Sequence, residues 1–499
     1  MRTFMKTKRF TKLKHFCIGL LLTCTLMVQA QDKPNIVFIA VDDLNCDLGV
    51  YGNTQIKSPN MDALGNDGMT FLNHHCQQPV CGPSRSSLLS GMTPDHTGIK
   101  SFGTYNPDSY LRDNYPDILT IPLYLKMNGY RTEGMGKIHD HRNVSTTDNK
   151  DMISWTKWNN AWAPKYANSY TAPNDKPIVE SADVADNKYT DGILGDKAAE
   201  RLDYLAGQSE PFFLAVGFHK PHLPFIAPKS HWDKYDRNAI DVAAHQQMAA
   251  NDLGFESNPA SEFFGGYTGV ASFPFSLDAQ REYIHGYYAC VSYIDAQVGK
   301  ITEKLKNLGV YDNTIIILWS DHGFSLGDHN SWGKHTLFKS STRCPLIIKA
   351  PGVTTAGTLA SAPTEHIDLF PTICDLAGLT EPFALINQAF NPDYELIIDN
   401  LSPQLSSYLA EMAIKKERLE TGVNQIPPDS PLHVVSLSKI NNELQVYPNP
   451  IGDFVYVSLP NQPAQYQYEI YNLSGELVLQ GGLDSNKINC YSLSQVLEC

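Results

Sequence analysis

Residues 80–91 read V-C-G-P-S-R-S-S-L-L-S-G, and the reading of the whole chain works outward from them. Pro83 has no N–H and a φ suited to a first turn, so the stretch opens a helix with Pro83 just inside its start. Cys81 then lies at the helix mouth, where unpaired backbone N–H groups and the helix dipole favour negative charge. Arg85, about one turn further on, adds a planar and permanently charged donor suited to a tetrahedral oxyanion. The pattern marks an anion-handling site, and its bland alternative is an inert buried cysteine.

Two apolar runs flank this stretch. N-I-V-F-I-A-V at 35–41 is continuous and β-branched, as expected of a central parallel strand covered on both faces, and it ends in Asp42-Asp43. T-I-I-I-L-W at 314–319 leads in the same way into Ser320-Asp321-His322-Gly323. The fold class is therefore α/β, with ligands expected at the carboxyl ends of the strands. Adjacent carboxylates there repel unless a cation joins them, so Asp42, Asp43, Asp321 and His322 are candidate ligands of one hard cation. The oxygen-rich set points to calcium more than zinc, although His322 is softer than calcium prefers. Either acidic pair alone reads as an ordinary solvated turn; both together, around Cys81, favour the cation.

Three basic stations lie between and beyond these strands. Residues 129–141 (G-Y-R-T-E-G-M-G-K-I-H-D-H) read as a helix end, a short strand and a loop with Lys137 and His139. Residues 212–224 (F-F-L-A-V-G-F-H-K-P-H-L-P) form another buried strand whose end bears His219, Lys220 and His222. Residues 326–338 (L-G-D-H-N-S-W-G-K-H-T-L-F) carry His329 and Lys334. Any one of these is ordinarily a surface charge or a satisfied core group, but strand-end loops carry most chemistry. Apolar steps of three and four across 281–308 predict an amphipathic helix. A further strand is expected within 341–351 and a closing helix at 366–378. The segments 145–191 and 254–277 read as loop insertions around the cleft.

The order C-x-P-S-R followed by L-L-x-G resembles the signature of the type I sulfatases, and the stations G-K-x-H, H-K-P-H-x-P and L-G-x-H-x-x-W-x-K resemble further motifs of that family. The D-D and D-H strand ends and the last two stations resemble its iduronate-2-sulfatase branch. The resemblance implies an alkaline-phosphatase-like sulfatase fold, a large mixed and mainly parallel sheet between helices. It also implies that Cys81 is oxidised to formylglycine by a formylglycine-generating or anaerobic sulfatase-maturing enzyme, and that Asp42, Asp43, Asp321, His322 and residue 81 hold one calcium ion. Lys137 and His139 would flank the formylglycine, with His139 bonded to its hydroxyl as an acid/base. His219 and Lys334 would bind the sulfate and the bridging oxygen, one of them protonating the leaving alcohol, and Arg85 would hold the formylglycine and offset the carboxylates. Lys220, His222 and His329 match the pattern as supporting or substrate-side groups.

A sulfate ester is a diffuse anion with a poor alkoxide leaving group, so positive charge on the sulfuryl oxygens and a proton donor opposite the attack are what its cleavage needs. The branch resemblance implies a uronic acid 2-O-sulfate in a polysaccharide or its oligosaccharides. Two rivals remain at this stage: a phosphomonoesterase or phosphodiesterase of the same fold, and a glycan-binding pseudo-enzyme without turnover.

The ends of the 499-residue chain read differently from its body. Residues 1–30 combine Arg2, Lys6, Lys8, Arg9, Lys12 and Lys14 with an apolar run at 16–28 and a close at Ala30, the layout of an export signal, too short for the roughly 20 residues of a membrane span. Its removal takes the formal net charge from −14 to about −20, which does not suit nucleic acid or anionic membranes as partners. Eight of the ten cysteines remain, irregularly spaced and with no zinc pattern, and no disulfide framework is read from them.

Residues 31–385 are expected to form the catalytic domain and 386–440 a shortened subdomain remnant and linker, with a helix at 401–416 and a proline-rich link at 425–432. From 441 to 499, alternating strands broken at Asn-Pro, Gly-Asp and Ser-Gly predict a small antiparallel β module. That module resembles the type A sorting domain of the Bacteroidetes type IX secretion system, implying the secretion machinery as a partner and delivery to the cell surface or medium, with the periplasm as the alternative. The module also reads as a carbohydrate-binding domain.

Overall fold

β1 (Asn35–Val41) is buried from Ile36 onward, as its unbroken apolar pattern demands of a strand with neighbours on both sides and layers on both faces. The computed structural model describes residues 33–380, apart from 103–105, 107–108, 160–174 and 248–259, and the backbone of six strands between 434 and 489. The expected export signal, the 401–416 helix and the 425–432 link lie outside the described residues. The chain divides into two units, Met1–Leu379 and Thr380–Cys499.

In the first unit β1 is joined by β2 (Met69–Phe71), β3 (Arg131–Gly136), β4 (Lys157–Trp158), β5 (Phe212–Phe218), β6 (Thr314–Ser320), β7 (Leu346–Lys349) and β8 (Thr358–Ala360). They form one sheet in the order β8-β2-β7-β6-β1-β5-β3-β4. Every pairing is parallel except those of β7, which runs against both β6 and β2. The sheet is thus large, mixed and mainly parallel. β4 arises inside a segment whose composition reads as an insertion; a two-residue edge strand is too short to show periodicity.

Helices α1 (Cys81–Ser90), α2 (Thr190–Leu205), α3 (Leu277–Asn307) and α4 (Leu369–Leu376) cover the sheet. α2 and α3 share one core with Val37, Ile39 and Val41 of β1. On the opposite face Phe38 meets Phe213 and Trp319, with ring centroids 5.7 and 5.2 Å apart. α3 begins where the Ser276 side chain accepts from Ala279 N at 3.2 Å and ends with Lys304 and Lys306, complementing its dipole. Its Tyr287 hydroxyl accepts from Asn45 N and donates to Asp43 O, both at 2.8 Å, and so pins the turn after β1.

Register decides what this sheet can do. Val41 lies opposite both Phe218 and Ser320, and Gly136 lies opposite Gly217. Asp42, His219, Asp321 and Lys137 therefore leave the sheet side by side. The close approach at this edge needs glycine: a Cβ on Gly217 would lie 2.2 Å from Lys137 O, and one on Gly136, whose φ is +72°, would lie 2.1 Å from Gly217 O.

The second unit contains two three-stranded antiparallel sheets. One pairs Val434–Ser436, Gln467–Tyr471 and Leu477–Gly482; the other pairs Gln445–Tyr447, Phe454–Ser458 and Lys487–Asn489.

Gly217→Ala is expected to destabilise the protein by about 1–3 kcal/mol through this backbone clash. Gly207→Ala, on an exposed turn where the nearest atom would be 3.5 Å away, should change stability by less than about 0.5 kcal/mol. Urea unfolding midpoints of the two variants check the difference.

Candidate active site

Asp42, Asp43 and Asp321 are fully buried, yet each must stay close to its neighbours because their strands end level. Bases make that tolerable. Arg85 donates from Nη2 to Asp42 Oδ1 at 3.0 Å and from Nε to Asp321 Oδ2 at 2.9 Å. Its Nη1 donates to the carbonyls of Lys137 and Ile138. Lys137 Nζ lies 2.6 Å from Asp42 Oδ2, and Lys334 Nζ lies 2.7 and 2.9 Å from the two oxygens of Asp43. Burial alone would raise the Asp42 pKa, but Lys137 and Arg85 hold it well below the carboxylate range. Asp43 is likewise held down, against its burial, by His222 and Lys334.

Asp43 adopts φ +61°, a conformation rare outside glycine, and its N–H donates to Asp321 Oδ1 at 3.2 Å. His322 donates from Nδ1 to Gly323 O at 2.9 Å, so in the neutral ring the Nε2 lone pair faces inward. That nitrogen lies 3.5 Å from Asp43 Oδ1, 3.5 Å from Asp321 Oδ2 and 3.3 Å from Cys81 Sγ. An imidazole nitrogen and two carboxylate oxygens converge here, which is the ligand set of a hard cation site with a histidine added. The residues fit such an ion. Asp42, Asp43, Cys81 and His222 form one cluster of ligand-capable atoms within 4.8 Å, and Cys81, Asp321 and His322 another.

Cys81 is the first residue of α1, after Val80 in an extended conformation, so the helix start points into this cluster. Burial pushes its thiol pKa well above the ordinary range, against the pull of Lys137 and Lys334. Unmodified, it is a protonated thiol and a poor nucleophile.

His139 is half-buried with Nε2 3.7 Å from Asp151 Oδ2 and no hydrogen-bond partner for that nitrogen among the described residues. The backbone N–H groups of His219 and Lys220 donate to the buried Asp191 at 3.0 and 2.8 Å. Lys220 Nζ turns back onto the carbonyls of His222 and Pro224, 2.8 Å each, which makes it a loop brace. His222 Nε2 lies 3.9 Å from Asp43 Oδ2. His329 instead stacks on His245 and Phe338, with centroids 5.6 and 5.4 Å away.

Three acids that carry no motif complete the setting: Glu262 reaches Lys334 at 3.0 Å, Asp151 lies 3.7 Å from His139, and Asp191 fixes the end of β5. A cleft of about 630 Å³ is lined by Asp42, Lys137, His139, His219 and His222. Arg142, Lys150 and Lys176 add positive charge to its wall.

The sulfatase family model matches residues 34–379, and the model of the secretion system C-terminal sorting domain matches residues 445–495. A sulfatase of Formosa agariphila is 33% identical over 368 residues, covering 70% of each chain. The iduronate 2-sulfatase of Mus musculus is 34% identical over 407 residues, 74% of this chain and 72% of its own. A solved phosphonate monoester hydrolase from Silicibacter pomeroyi shares the fold, with a TM-score of 0.57 at 21% identity over 89% of this chain and 90% of its own. The chain belongs to the sulfatase family. It has the alkaline-phosphatase-like fold of that family and is a sulfuric ester hydrolase. Its C-terminal module is a type IX sorting domain, which directs the protein out of the cell to the surface or medium.

Arg85→Met, similar in length but uncharged, would leave Asp42 and Asp321 buried without their shared donor. Metal-free protein should lose about 3–5 kcal/mol in urea unfolding, and a loss under about 1 kcal/mol would contradict the arrangement.

Proposed function

We propose that this enzyme removes sulfate from a sulfated carbohydrate, a uronic acid 2-O-sulfate in a polysaccharide or its oligosaccharides, using formylglycine at position 81 and one calcium ion. The observation that carries the reading is the placing of Cys81, at a helix start, against buried Asp42, Asp43, Asp321 and His322 with Arg85, Lys137 and Lys334 around them. A sulfated carbohydrate is supported by relatives named as an iduronate 2-sulfatase, an ulvan-active sulfatase and an N-acetylglucosamine-6-O-sulfatase, and the uronic acid 2-O-sulfate by the first of them, at higher identity than the other two.

Asp42, Asp43, Asp321 and His322 would hold the calcium, which supplies charge stabilisation to a sulfuryl oxygen when bound. Once a maturation enzyme has converted residue 81, its hydrated aldehyde supplies one hydroxyl to attack sulfur and a second whose deprotonation expels sulfate and restores the aldehyde. Arg85 keeps the acids and the α1 start in one place. Lys137 places a cation on the nucleophile side, and His139 takes and returns the hydroxyl proton there. Lys334 is protonated because Asp43 and Glu262 oppose the effect of burial, so it can offset the sulfate charge and has a proton to give to the departing alkoxide. His219, neutral by burial and by the proximity of Lys137, stands on the leaving-group side with Lys334. Export by the type IX machinery would bring the site to polymers outside the cell.

The test is sulfate release by matured protein from defined disaccharides. A 2-O-sulfated uronate should be cleaved at least about tenfold faster than a 6-O-sulfated glucosamine, and matched phosphate esters more slowly than either. No release from any sulfated saccharide, or preference for phosphate, would overturn the reading. Cys81→Ser should give no more than one turnover per chain, because serine lacks the second hydroxyl.

His219→Ala and Lys334→Ala separate the leaving-group acid. The variant lacking it should lose about 10²–10⁴-fold on the sugar sulfate and far less on a nitrophenyl sulfate, whose leaving group needs no proton.

A further inference from the structure

The loop that follows Lys137 turns back beside the nucleophile helix. Asn143 N donates to Asp140 O at 3.0 Å, and Asn143 Nδ2 donates to the carbonyls of Ser101 and Ser109 at 2.7 Å each. This turn packs on the first residues of α1 so closely that a Cβ on Gly82 would lie 1.8 Å from Asn143 Oδ1. Arg142, the residue before, is thereby held near position 81, and it lines the cleft.

One edge of the Arg142 guanidinium is committed and the other is not. Nε and Nη2 donate to the two oxygens of the buried Asp140 at 2.8 and 2.7 Å, and the guanidinium carbon lies 3.5 Å from the centroid of the Phe102 ring. The carboxylate fixes the rotation of the fork and the ring fixes its plane, so little freedom is left to lose when an anion binds. Nη1 makes no hydrogen bond among the described residues, and Nη2 makes only the one to Asp140. The outer edge therefore presents two parallel N–H groups, the geometry that takes a carboxylate in a bidentate pair. The side chain is 30% exposed.

The surroundings call for such a group. Among the described residues the cleft is lined by five lysines and arginines against three aspartates, whereas the whole chain has 39 lysines and arginines against 53 acids. That local reversal of sign favours a ligand with more negative charge than one sulfate ester carries. Asp140 Oδ2, 2.7 Å from Arg142 Nη2, is also 4.0 Å from Lys137 Nζ. One oxygen thus separates Arg142 from the cation on the nucleophile side, a gap that a single pyranose ring bearing a sulfate and a carboxylate can span.

Resting on the reading of a uronic acid 2-O-sulfate, we propose that Arg142 determines specificity for the uronate: its outer edge takes the sugar carboxylate while the sulfate occupies the strand-end site. Asp140 and Phe102 are positioning residues that hold the fork. The contact is remote from the S–O bond and is the same before and during its cleavage, so it acts on KM and not on kcat.

The test compares a 2-O-sulfated uronate glycoside with its methyl ester, which keeps the ring and the sulfate and loses the second charge. Matured protein should cleave the acid with a kcat/KM about 10–100-fold higher than the ester, the difference lying in KM. Arg142→Lys keeps a cation for Asp140 but loses the fork, and should lose more on the acid than on the ester, bringing the two within about threefold. Equal kcat/KM for acid and ester in the unaltered chain, a comparison that needs no variant, would overturn the subsite and leave the sulfatase reading standing. An Arg142→Lys loss of the same size on both substrates would overturn it too. Cleavage of neither substrate would overturn the reading of the sulfated sugar, and the subsite with it.

Discussion

One guanidinium holds the centre of this enzyme together. Arg85 is fully buried and spends its donors on Asp42 after β1, Asp321 after β6, and the carbonyls of Lys137 and Ile138 after β3. Its plane also lies 5.4 Å from the Trp319 ring. A lysine could not reach three strand ends from one helix position, because it offers a point charge where a rigid fork is needed. Burying such a charge is tolerable only with complete pairing, and the pairing in turn locates the helix that carries Cys81.

That constraint works only because the strands finish level. β1 pairs with β5 and β6 in a register that releases Asp42, His219 and Asp321 together, and the glycines at 136 and 217 let β3 approach closely enough to add Lys137. The positive φ of Asp43, pinned by Tyr287 from α3, then turns a second carboxylate inward where an ordinary strand would send it away. The sheet supplies position, the helix supplies Cys81, and the bases supply the compensation that lets three acids lie buried together.

Much of this was legible in the residues themselves. Unbroken apolar runs ending in Asp-Asp and Asp-His have few structural meanings, so β1, β6 and their acids could be read directly, as could the helix start at Cys81. The α3 helix was expected from 281 and begins at Leu277, because its first turn is set by the Ser276 cap and not by apolar spacing. Glu262, Asp151 and Asp191 could not be read: each acts through a partner distant in sequence and sits in no motif. Lys220 carried a motif yet braces its own loop, since a lysine's role depends on which acceptors its long stem meets.

The account rests on Asp42, Asp43, Asp321 and His322 sharing a single divalent ion beside residue 81. Calorimetric titration of Ca²⁺ into chelator-treated, matured protein measures this most directly. One ion bound per chain, with binding lost in Asp321→Asn, is the predicted result. No binding, or a stoichiometry and affinity untouched by Asp321→Asn, would contradict it.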